Sequence, residues 1–214
     1  MSLPLLTSGI QDSPQSENVV VESFKSLYAN LRMRYSAPAI GSVLVSSAVK
    51  EDESTVIIAL NLAKTAAAAG QKVLLVDANL SASLLHQHTS LSNEKGLSNL
   101  LSNQMNSADV IQQMAHCPNL FILTSGQLST NSIEQVTFNR MPKLIEEFQQ
   151  SFDLVIYNAA PILESIDTSF MATYTDGIVM TVAINKSKKS FFNRALQQID
   201  NYNLKLLGVV STDV

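Results

Sequence analysis

The stretch Ser42–Thr55, SVLVSSAVKEDEST, decides how the rest of the chain is read. Its first half is a short run of β-branched and apolar residues, the pattern of a strand buried on both faces. Its second half, Lys50-Glu51-Asp52-Glu53-Ser54-Thr55, places three consecutive carboxylates before a long apolar segment, STVIIALNLAKTAAAAG, that reads as a helix. Ser54 is the expected N-cap of that helix, and Gly70 its C-terminal stop.

Outward from this junction the same alternation recurs. Apolar runs at Val73–Val76, Leu120–Leu123, Leu154–Tyr157, Ile178–Ile184 and Leu206–Val210 join Val43–Val45 as strands. Three- and four-residue apolar spacing predicts helices over Val21–Tyr35, Ser54–Ala69, Ala108–Ala115, Arg140–Ser151 and Ser187–Tyr202. Continuous apolar strands alternating with helices imply a mostly parallel sheet covered on both faces, a three-layer α/β/α sandwich. Residues 1–18, rich in Ser, Pro and Gln, read as a flexible leader, and 19–214 as one domain.

Composition bounds the function. The 214 residues are 46% hydrophobic and 15% charged, with a formal net charge of −4. No run of Lys and Arg is available to neutralise phosphates, so nucleic acid is not an expected partner. Cys117 is the single cysteine, which suits a reducing compartment. No apolar stretch approaches the ~20 residues needed to cross a bilayer. The chain is expected to be cytoplasmic. His86-Gln87-His88 has no third ligand nearby, so no metal is expected. Lys186, Lys188 and Lys189 form a small basic cluster that reads as a solvated loop.

In open sheets of this class ligands gather at the C-terminal ends of the strands. Three such ends carry candidate residues: KEDEST after the first strand, Asp77-Ala78-Asn79 after the second, and Asn158-Ala159-Ala160-Pro161 after a later one.

Taken in order, these segments resemble the cytoplasmic domain of the bacterial tyrosine kinases, relatives of the MinD and ParA P-loop ATPases. VLVSSAVKEDEST aligns with the family's phosphate loop, TSxxPGEGKST, and VLLVDANL with LLIDADLR. NEKGLSNLL is similar to NEPGLSDVL, FDLVIYNAAPILESID to FDYVIIDTPPVLxVTD, and DGIVMTVAINKSKKS to DGVLLVVRAGKTRRR. The resemblance implies a P-loop NTPase-like fold and a degenerate nucleotide site made of Lys50, Glu51, Asp52, Glu53, Ser54, Thr55, Asp77, Asn79 and Asn158. Lys50 and Asp52 fall where the family has glycines, and Glu53 where it has the phosphate-gripping lysine. A carboxylate ~4 Å from a phosphate oxygen repels it by about 4 kcal/mol at an effective dielectric near 20, or roughly three factors of ten in affinity. Asn79 and Asn158 stand at carboxylate positions of the family, and amides bring no negative charge to Mg²⁺.

The family's ring-forming ExxRxxR pattern on the first helix corresponds here to Glu22, Lys25 and Tyr28, with Arg32 one turn on. These are the candidate oligomer or partner contacts. The five tyrosines (Tyr28, Tyr35, Tyr157, Tyr174, Tyr202) are scattered rather than clustered as an autophosphorylation substrate. The expectation is a catalytically inactive pseudo-ATPase or pseudokinase that needs no cofactor. It would be a scaffold or regulator in extracellular or capsular polysaccharide biosynthesis and export. Its partner would be a membrane polysaccharide co-polymerase that holds it at the inner membrane, with a homo-oligomer or an active homologue as further partners. The alternatives are an atypical ATPase or tyrosine autokinase using Mg-ATP, and a MinD/ParA-like positioning factor.

Overall fold

In the computed structural model, residues 6–9, 14–34, 40–49, 53–127, 133–184 and 186–213 are described. Lys50, Glu51, Asp52 and Tyr35 lie outside them. In chain order the elements are β1 (Leu6–Gly9), α1 (Pro14–Arg34), β2 (Ser42–Ser47), α2 (Ser54–Ala68), β3 (Val73–Asp77), α3 (Leu85–Thr89), α4 (Leu97–Leu101) and α5 (Ser107–Val110). They continue with β4 (Gln112–Gln113), β5 (Leu120–Leu123), α6 (Ile133–Ser151), β6 (Leu154–Asn158), α7 (Ile166–Ala172), β7 (Ile178–Ile184), α8 (Lys189–Asn201) and β8 (Leu206–Asp213).

The strands form one sheet of order β1-β8-β7-β2-β6-β3-β5-β4. All pairings are parallel except the short β4–β5 pair. Because side chains alternate across a strand, each central strand feeds two cores. Val43, Val45, Val73, Leu75 and Ile156 face the layer built on α1 and α2. Leu44, Leu74, Val76, Val155 and Tyr157 face the layer of α4, α6, α7 and α8. The expected three-layer α/β/α sandwich is the observed architecture.

Several boundaries differ from the sequence expectation. Leu6–Gly9, inside the expected leader, pairs in parallel with β8, and α1 opens at Pro14. Sheet pairing at an edge needs no apolar signal in the strand itself. The helix expected over Ala108–Ala115 is one turn, α5, after which Gln112 and Gln113 turn back antiparallel onto β5. α6 begins at Ile133, well before Arg140 where the apolar spacing had placed its start, and carries Pro142 internally. Gly70 ends α2 as expected. Its φ of +91° is left-handed, and the N–H groups of Gly70 and Gln71 donate to the carbonyls of Ala67 and Ala66, which is the Schellman arrangement.

NEKG is the lock of the opposite layer. Asn93 Oδ1 accepts from the Gly126 N–H at 2.9 Å and the Ser125 hydroxyl at 3.1 Å. The Leu97 N–H donates to the Thr124 carbonyl at 2.8 Å, and the Gly96 N–H to Asn99 Oδ1 at 2.9 Å. A Cβ at Gly96 would collide with the Thr124 carbonyl oxygen and the Gly126 nitrogen, both backbone atoms that cannot step aside.

Two substitutions test this packing in opposite directions. Gly96→Ala forces that collision and is expected to cost about 3 kcal/mol, as overpacking against rigid neighbours does, read as a lowered urea midpoint. Tyr157 is fully buried, and its hydroxyl has no partner among the described residues. Tyr157→Phe removes that unsatisfied group and is expected to gain about 1 kcal/mol; a loss of stability in the same assay would contradict it.

Candidate functional site

The C-terminal ends of β2, β3 and β6 meet around an open cleft of about 240 Å³. Its floor is Asn158, Ala159 and Val56; Glu53, Ser81 and Glu164 stand at its rim. Of the residues read from sequence as a vestigial nucleotide site, Glu53, Thr55, Asn79 and Asn158 line it. Ser54 is buried as the first residue of α2, and Asp77 lies beneath.

Glu53, not Ser54, is the N-cap of α2, and its side chain makes no capping hydrogen bond. The carboxylate instead reaches away, and Oε2 accepts from His88 Nε2 at 3.1 Å. Both groups are partly exposed, so the pair contributes at most about 1 kcal/mol. Its consequence is positional: a negative charge sits at the cleft mouth, at the start of the helix. The Thr55 hydroxyl meets that of Thr181 on β7 at 2.9 Å, and the Ser47 hydroxyl donates to the Val49 carbonyl at 2.9 Å.

Asp77 is fully buried at the end of β3. Its Oδ2 accepts from the Ser83 hydroxyl at 2.8 Å and the Leu85 N–H at 3.2 Å, and its Oδ1 from Asn158 Nδ2 at 3.0 Å. Burial pushes its pKa above the usual 3.8, although the donors from Ser83, Asn158, Leu85 and Asn79 oppose the shift. The side chain therefore organises the turn into α3. Asn158 is 3% exposed, and its backbone carbonyl also accepts from the Ala78 N–H at 2.8 Å. Backbone bonds from Ala159, Ile162 and Leu163 to Val45, Ser47 and Ala48 hold the β2 and β6 exits together.

The sequence did not reveal His88, Ser83 or Glu164 as members of this site. Glu53 and His88 are 35 positions apart, and no local signal joins them. Glu164 follows a strand end already marked as a candidate, so the topological rule alone could have found it. His86 lies by Ser83, with Nδ1 3.4 Å from its hydroxyl, and does not share the Glu53 contact. The first-helix residues stand apart from the cleft. Glu22 and Lys25 pair with each other at 2.7 Å on the exposed face, and Arg32 is exposed. Tyr28 packs against the core and donates to Gln71 Oε1 at 2.7 Å. Among the described residues no helix is long and apolar enough to cross a membrane.

An AAA domain matches residues 54–206. Tyrosine-protein kinase YwqD of Bacillus subtilis is 30% identical over 190 residues, covering 88% of this chain and 79% of YwqD. This chain belongs to the bacterial tyrosine kinase family. Within that family it is also 25% identical over 199 residues to the tyrosine-protein kinase Ptk of Acinetobacter johnsonii, of which it spans only 27%. The solved structure of the chimerical protein CapA2B2 superimposes with a TM-score of 0.86 at 28% identity, over 99% of this chain and 95% of that one. The P-loop NTPase-like fold is thus shared with this solved relative.

The raised pKa of Asp77 fixes the sign of one pH effect. A carboxyl whose folded pKa lies above its unfolded value contributes stability that is complete below about 3.8 and is lost as pH rises through the folded value. Urea midpoints between pH 3.5 and 7 are expected to show this decline in the wild type, and Asp77→Asn to flatten it. An unchanged slope in the variant would show that Asp77 does not titrate in this range.

Proposed function

We propose that this chain is a non-catalytic member of its family, a nucleotide-independent scaffold or regulator in the assembly and export of an extracellular or capsular polysaccharide. It would dock on the cytoplasmic side of a membrane polysaccharide co-polymerase. The observation that carries the reading is the Glu53 carboxylate at the N-cap of α2, the alignment position of the lysine that would grip phosphate. A helix N-terminus attracts anions through its unpaired N–H groups and dipole. A fixed carboxylate there offsets that attraction and repels a triphosphate. Asp77 adds to it, because its carboxylate is spent on the donors of Ser83, Leu85 and Asn158 rather than on a cation. A fold outlives its site in this way because core and cleft are specified by different residues.

A second reading, an atypical ATPase or tyrosine autokinase, is favoured by the open cleft and by relatives whose names are those of kinases. Titration with Mg-ATP and Mg-ADP at millimolar concentration separates the two. A micromolar site would stabilise the fold by about 4 kcal/mol at a thousandfold excess over Kd, plainly visible as a rise in Tm. The expected result is no heat and no rise. Saturable binding with hydrolysis that Asp77→Ala abolishes would install the second reading instead.

A further inference from the structure

The turn from β7 into α8 and the first half of that helix carry Lys186, Lys188, Lys189 and Arg194. Four of the chain's 14 Lys and Arg thus fall in one short stretch, although the chain as a whole is at −4. All four are exposed, and no Asp or Glu interrupts them before Asp200, near the far end of α8. Lys188, Lys189 and Arg194 make no ion pair among the described residues, whose pairs are Glu22–Lys25 and Glu53–His88. The cluster read from sequence as a loop is therefore largely a helix end.

That placement works against the helix. Lys188 holds the N-cap position without a capping bond, and the first turn contains no acidic residue. A helix N-terminus carries partial positive charge, so lysines there are repelled by the dipole and by each other. Ser, Thr, Asp or Asn would cap it instead. A local preference broken on an exposed surface, with no internal compensation, marks a functional position. Phe191 and Phe192 pack against the core while staying partly exposed, and they fix Lys189, Asn193 and Arg194 on the outer face.

We propose that this face binds an anionic phospholipid surface directly. None of the four cations lines the cleft, so they serve no shaped ligand there. A charged bilayer needs no pocket: it attracts through a summed field, with about a fivefold gain in partitioning per cation. Nucleic-acid binding draws on roughly six to ten phosphate contacts, more than this patch supplies. Partly exposed aromatic rings beside cations also suit the headgroup boundary. Because β7 runs parallel to β2, the patch stands at the same edge of the sheet as the cleft. A chain bound through it turns that edge toward the membrane, whatever the cleft holds.

The test is sedimentation of the full chain with vesicles of phosphatidylcholine alone and of phosphatidylcholine mixed with phosphatidylglycerol. It is run at low salt and at about 0.5 M, where screening shortens to a few ångströms. Binding is expected only to the anionic vesicles, and to be lost at high salt. Lys188→Gln/Lys189→Gln/Arg194→Gln is expected to weaken it at least about tenfold, with Tm unchanged or raised. Lys64→Gln/Lys95→Gln/Lys143→Gln removes the same charge from exposed positions elsewhere. It is expected to change binding less than about threefold, since distant exposed charges are screened. No binding to anionic vesicles, equal binding to neutral ones, or equal loss in both triple variants would overturn the proposal. So would a salt-sensitive complex with polyglutamate or a DNA duplex where vesicles are left alone, which would assign the face to an acidic protein or to nucleic acid.

Discussion

A single buried carboxylate organises the end of the sheet. Asp77 has no exposed surface and accepts from Ser83, Leu85 and Asn158. An ionised group taken out of water is costly unless its lone pairs are answered, so these partners are fixed once the carboxylate is. The Ser83 and Leu85 bonds set the turn into α3, and α3 carries His88 to Glu53. The Asn158 bond ties β6 to β3 where the cleft floor lies, and it orients the amide. Geometry at the rim and chemistry at the floor thus both descend from one side chain that itself touches no ligand.

The opposite end of that dependence is instructive. The strand cores are continuous Val, Ile and Leu, and the NEKG lock relies on backbone proximity at Gly96 and on Asn93 bridging Ser125 and Gly126. None of these atoms lines the cleft. A carboxylate at Glu53 therefore costs the fold almost nothing: the side chain is half in water and finds His88 as a neighbour. On the proposed reading the same carboxylate would cost a phosphate ligand about 4 kcal/mol of repulsion, so stability and nucleotide affinity would respond to this one position on different scales.

The residues that could be read in advance are those whose environment is set by periodicity. Six strands announce themselves because burial on both faces leaves an unbroken apolar run, and β5 and β7 match their expected limits. β1 and β4 carry no such run, since edge pairing is satisfied by backbone hydrogen bonds alone. α3, α4 and α7 are too short for a helical period to accumulate. At the site, the strand-end rule placed Asp77, Asn79 and Asn158 together correctly in space. It could not say that Asp77 points inward to bond Asn158, because that depends on a register of Asp77 against Asn158 between strands some eighty positions apart. Ser54 had the right side chain for a cap, yet it lies one position inside the helix, and Glu53 takes the cap position without capping.

The Asp77–Asn158 pair shows how the ends of β3 and β6 are joined without an ion. With two carboxylates side by side at the ends of β3 and β6, a cation would be needed to hold them, since like charges in a buried setting repel. With Asn158 beside Asp77 the pair is self-sufficient: one donor, one acceptor, no ion required.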